Sequence, residues 1–152
     1  MILENIADLF KILPPERPIM AFDMGLKRIG VACSDPRQVI AFPRLVYERV
    51  NMRQDIGFLS RICRDEKAAA IVMGLPLDLE NREGGNCEWI REFAVKLEYK
   101  TDLPILLMDE RLSTAAVTRA MKEADISRKE RHEKDDKLAA AYILQTVLDS
   151  RS

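Results

Sequence analysis

Short apolar runs bounded by turn residues alternate along this chain with stretches of helical period. Ile19–Asp23, Ile29–Ser34 and about Ile40–Tyr47 read as three strands with short connections, the pattern of an antiparallel meander. Arg53–Asp65 keeps helical period through Ile56, Leu59, Ile62 and Cys63. Ala68–Met73 is apolar throughout, as a strand covered on both faces would be. A helix of about Cys87–Tyr99 and a strand Ile105–Met108 follow. Ser113 or Thr114 can cap a helix reaching about Ala124, Ile126–Lys134 reads as a charged mobile loop, and a last helix spans about Asp135–Asp149. Ahead of all these, Ile2–Leu13 reads as a helix ended by Pro14, Pro15 and Pro18.

This order, β-β-β-α-β-α-β-α-α, predicts an α/β fold: a mixed five-stranded sheet, part meander and part parallel, flanked by helices. Right-handed crossovers make the first, fourth and fifth strands parallel. Residues 1–18 are expected to form an appended helix and proline-rich linker, and residues 19–152 a single domain. With 152 residues, 47% hydrophobic and 32% charged, the chain can bury a core of its own. Its net charge of −1 provides no overall basic field, so any nucleic-acid contact must use local patches. Three cysteines without a CxxC pattern, and no signal-peptide pattern, point to free thiols in a reducing cytoplasm. No apolar run approaches the ~20 residues of a membrane span. A single histidine, His132, argues against a histidine-based zinc site.

Candidate chemistry gathers at strand ends. Asp23 closes the first strand, Gly74-Leu75-Pro76 the fourth, and Asp109-Glu110 the fifth. Parallel strands would bring all three to the carboxyl edge of the sheet, where open α/β folds bind ligands. The bland alternative is that acids merely punctuate strand ends. In the last helix, Ala140, Ile143, Leu144, Val147 and Leu148 form an apolar stripe, and Asp136 lies on it, four residues before Ala140. Asp135 is turned about 100° away. The helix dipole would favour an acid in a first turn, yet it does not explain one on the inward stripe. Oxygen donors without His or Cys suit Mg²⁺ or Mn²⁺, and two ions ~4 Å apart are the machinery of phosphodiester hydrolysis. Lys27 and Arg28 after the Asp23 turn, and Arg111 after Glu110, are candidates for phosphate contacts, as are Ser113 and Thr114.

At these residues the chain resembles the YqgF/RuvX family of Holliday-junction-resolvase-like proteins, also described as pre-16S rRNA nucleases. The resemblance covers about Met20 to Leu148. It is carried by Asp23, Gly25, Lys27 and Ile29–Ala32, by Gly74–Leu77 with Glu83-Gly84, by Asp109–Thr114, and by Asp136 before an alanine-rich helix. It implies a ribonuclease-H-like fold, a cytoplasmic location, and metal-dependent endonuclease action on structured nucleic acid. Asp23, Glu110 and Asp136 would be the catalytic, metal-holding triad. The substrate would be the 5′ end of pre-16S rRNA or branched, Holliday-junction-like DNA, and symmetric junction cutting would favour a homodimer. The chain departs from the family pattern at Leu26, at Asp78–Arg82 and at Ala139, where related resolvases carry a fourth acid. Two other readings compete. An actin-like ATPase shares the sheet but needs two such domains to enclose ATP, and no P-loop is present. A non-catalytic nucleic-acid-binding or ribosome-biogenesis module would use the acids only for structural electrostatics.

Overall fold

The computed structural model describes residues 1–75, 85–109 and 128–151; of residues 85–86 and 128–136 it describes the backbone alone. The expected helix from Ser113 or Thr114 to Ala124, the loop from Asp78, Pro76, Glu110, Arg111, Ser113 and Thr114 all lie outside the described residues.

The chain begins with a short strand, β1 (Ile2–Leu3), and a helix, α1 (Ile6–Ile12). An antiparallel meander follows: β2 (Ile19–Met24), β3 (Arg28–Ser34) and β4 (Ala41–Glu48). Then come α2 (Met52–Asp65), β5 (Ala70–Leu75), α3 (Gly85–Thr101), β6 (Ile105–Asp109) and α4 (Arg128–Asp149). The strands form one sheet in the order β1-β6-β5-β2-β3-β4. β2, β5 and β6 run parallel, as the crossover rule required.

Among the described residues the sheet has six strands rather than five. The expected helix over Ile2–Leu13 fails at its start because the Asn5 side chain accepts from the Ala7 N–H and caps a helix that begins only at Ile6. Ile2 and Leu3, left outside it, pair in parallel with Ile105 and Leu106 and extend the sheet. The last helix also differs. Arg128–Lys134, expected as a loop, is the first part of α4. The stretch holds no Pro or Gly, and Glu130–Lys134 and Glu133–Lys137 stand in the favourable i, i+4 order, so its charge is compatible with a solvated helix.

Period-two alternation sorts the strand residues onto two apolar layers. Met20, Phe22, Ile29, Val31, Ile71, Met73, Ile105 and Leu107 pack with α2 and α3. Ile19, Ala21, Ala32, Ala70, Val72, Leu106 and Met108 pack under α1 and α4, which contribute Leu9, Ala140, Ile143, Leu144 and Val147. The outer strand β4 carries Pro43 and a register shift opposite Val31/Ala32, features that suit a sheet edge. Among the described residues no helix is long and apolar enough to cross a membrane.

Candidate active site

β2 ends at the carboxyl edge with Asp23 half-buried among fully buried neighbours. Its parity with Ile19 and Ala21 assigns it to the α4 face of the sheet. On one side Asp23 pairs with Gly30 of β3. On the other, the register that pairs Phe22 with Met73 brings Gly74 of β5 alongside. Both cross-strand neighbours of this carboxylate thus lack a side chain. β6, the next strand over, reaches the same edge, its Asp109 paired with Leu75. Two strand spacings of about 4.8 Å separate β2 from β6. Asp109 has the parity of Ile105 and Leu107 and so belongs to the opposite, α2–α3 face. Among the described residues no group of three metal-ligating side chains occurs.

The turn that carries Asp23 is held from two directions. The Gly25 N–H donates to the Arg28 carbonyl at 3.0 Å. A Cβ on Gly25 would lie 2.5 Å from that same oxygen, so the close approach itself demands glycine. The φ of Gly25 is not positive, so contact distance rather than backbone freedom is the reason. Gly25→Ala must push the two strands apart here, an overpacking cost of about 1–3 kcal/mol. The expected outcome is a lower Tm and a larger proportional loss of cleavage, read by calorimetric unfolding and a nuclease assay.

From the β4 side, the Arg49 N–H donates to the Lys27 carbonyl at 2.9 Å, and its guanidinium reaches the Leu26 carbonyl at 3.4 Å. Arg49 is oriented by Asp55, a wholly buried carboxylate in the first turn of α2, through a 2.9 Å ion pair. Asp55 also accepts from the Tyr47 hydroxyl and the Val50 N–H, both at 2.9 Å. Burial, with a smaller contribution from the adjacent carboxylate, raises the Tyr47 pKa, so this hydroxyl stays a donor at neutral pH. The Arg49 guanidinium lies 4.3 Å from the centre of the Trp89 ring. The sequence reading missed this clamp. Its one visible signal was an acid beside apolar Ile56 in a helix whose N-cap, Asn51, was already supplied.

Of the expected phosphate contacts, Lys27 sits exposed on the turn and Arg28 opens β3, half-buried, with the parity of Gly30 and hence on the same face as Asp23. The backbone at Asp136 lies more than two turns inside α4, four residues ahead of buried Ala140 and seven ahead of buried Ile143. A helix-dipole role, which fades beyond the first turn, therefore no longer accounts for an acid there. The three cysteines are free and buried. Burial pushes Cys33 up to about 11 and Cys63 up to about 12, so neither offers a thiolate to a soft metal at neutral pH.

A family model described as Holliday junction resolvase, RuvX, matches residues 17–150. The chain belongs to the RuvX family. Relatives named "Putative pre-16S rRNA nuclease" align over nearly its whole length. That of Paramagnetospirillum magneticum is 43% identical over 146 residues, covering 96% of this chain and 94% of the relative. That of Rhodospirillum rubrum is 44% identical over 149 residues, covering 97% and 91%. Among solved structures, Thermus thermophilus RuvC in complex with a Holliday junction substrate is similar, with a TM-score of 0.54 at 11% identity over 89% of this chain and 95% of RuvC. At that identity the likeness establishes a shared ribonuclease-H-like fold.

Proposed function

We propose that this RuvX-family nuclease hydrolyses phosphodiester bonds in structured nucleic acid at the Asp23 edge, using two divalent cations, Mg²⁺ or Mn²⁺. The observation that carries the reading is the half-buried Asp23 carboxylate at the carboxyl edge between glycines on both neighbouring strands. A carboxylate oxygen at this edge is a hard donor and fits a hard cation that keeps several waters. Glu110, the next residue in the sequence after Asp109, would complete the set. Asp136, on the α4 stripe, would be the third ligand. Bound ions would supply Lewis acidity at the attacking water and at the leaving oxygen. Lys27 and Arg28, and beyond them Arg111, Ser113 and Thr114, would hold the phosphates flanking the cut. Precursor rRNA is the favoured substrate, from the names of the relatives, with branched DNA as the second; two-fold cutting of the latter would call for a homodimer. The proposed setting is the cytoplasm, and residues 1–18 are proposed as an addition to a nuclease domain of residues 19–152.

The test is cleavage of precursor 16S rRNA and of a four-way DNA junction with Mn²⁺ or Mg²⁺ present. Cutting is expected to stop when the metal is chelated and to return on its replacement. In calorimetry, titrated Mn²⁺ should give site-specific heat that Asp136→Asn reduces and Asp135→Asn leaves intact. Binding of either nucleic acid without cleavage under any metal condition would favour the non-catalytic module instead.

A further inference from the structure

We infer that the groove between α2 and α3, on the face of the sheet away from α4, is a track for single-stranded nucleic acid. It rests on the nuclease reading for its occupant. α2 and α3 both run from the carboxyl edge, where Asn51 and Gly85 start them, toward the opposite edge. Two hollows of about 480 and 270 Å³ lie between them and meet at Lys100. Among the described residues their walls carry six cations, Arg17, Arg53, Arg64, Lys67, Lys96 and Lys100, and no acid. In a chain of net charge −1 that is a local basic stripe. α2 is 14 residues long, so the stripe extends about 20 Å.

Helix-end electrostatics accounts for only part of it. Arg64 and Lys100 stand in last turns, where cations offset the dipole. Two helix ends contribute about −0.5 charge each, well short of six cations. The carbonyls there are also largely engaged already: Lys67 N–H donates to the Arg64 carbonyl, Ala68 N–H to that of Cys63, and Arg17 to those of Lys67 and Ala68. Lys96 has an exposed partner in Glu92 at 3.0 Å, a pairing that phosphate can displace at little cost.

Two further features point to an occupant. Gly57 lies in the middle of α2 and lines the groove, although nothing lies within 4 Å of where its Cβ would be. Packing does not require this helix-weakening residue, and its missing side chain gives clearance for a backbone resting on α2. Tyr99 lines the same groove with 89% of its surface exposed, offering a ring face to an unstacked base. Exposed cations along a groove with an aromatic platform are the arrangement that follows a single strand.

Lys67 gives a clean probe. It occupies the left-handed position after α2, φ 57°, which helices most often fill with glycine. Lys67→Gly therefore removes a charge while suiting the backbone. Labelled oligouridylate and oligothymidylate of about ten nucleotides would be titrated into full-length Asp23→Asn protein, without cleavage, across a salt series. Adding Lys67→Gly with Lys100→Ala should weaken binding at least tenfold at low salt and flatten the log–log salt slope by about 1.4, at roughly 0.7 for each phosphate no longer neutralised. Gly57→Leu should weaken binding with the slope kept, while the exposed pair Lys11→Ala with Arg37→Ala, off the groove, should change neither. Equal affinity for the two oligomers identifies phosphate as the recognised group, and a uridylate preference adds the ribose. Groove and control variants behaving alike, or no binding at low salt, overturns the inference. If the unsubstituted protein never cuts while the groove variants lose affinity, the nuclease reading falls and the groove stands; unchanged binding in a protein that cuts gives the reverse.

Discussion

Asp23→Asn is expected to lower the rate of metal-dependent cleavage by about a thousandfold or more, equivalent to roughly 4 kcal/mol of transition-state stabilisation. The substitution keeps the size of the side chain, and its cross-strand neighbours are glycines. Folding should therefore survive. Without metal the variant should escape the repulsion between this carboxylate and the other proposed ligands. With Mn²⁺ the parent should gain stability as RT ln(1 + [L]/Kd), and the variant should not. Thermal melts with and without the ion, beside a cleavage assay, read both effects. A variant that cuts at the parental rate removes Asp23 from the chemistry.

Removing the buried Asp55 carboxylate should have the largest effect on stability. In Asp55→Ala, Arg49 keeps a charge at a site where only 15% of its side chain is exposed, and Tyr47 and Val50 lose their acceptor. Breaking one side of a buried, hydrogen-bonded pair costs about 3–5 kcal/mol. That is a large part of the 5–15 kcal/mol that ordinarily separates native from unfolded, and corresponds to a Tm lower by roughly 10 °C. Because Arg49 also holds the Leu26 and Lys27 carbonyls, activity should fall even at temperatures where the variant is fully folded. Urea unfolding and the cleavage assay test the two parts. A loss under 1 kcal/mol would mean water replaces the carboxylate without cost.

The central strands were legible because each is a short apolar run ending in turn residues, and parallel β2, β5 and β6 followed from the crossover rule. β1 was not, since two residues set no period and only pairing with β6 defines them. Arg128–Lys134 was misread because charge marks solvent exposure, which a loop and the outer turns of a helix share. At the site, Asp23 and Gly25 were visible as a motif, but the reason for Gly25 was a contact to Arg28 that only coordinates reveal. The Asp55–Arg49 pair closes across a chain reversal between β4 and α2, which no spacing rule signals. Glu110 and the Asp136 side chain lie outside what the structure describes, so the proposed triad rests on Asp23, the sequence motif and the α4 register.

The side on which Asp23 emerges depends on counting in twos from Ile19. Deleting or inserting one residue within β2 would rotate the acid through the sheet into the oily layer beneath α2 and α3, even if every remaining residue kept its chemical character. The strand therefore has wide licence in which apolar side chains it carries and almost none in how many, so descendants of this sequence should vary in spelling here and hold to its length.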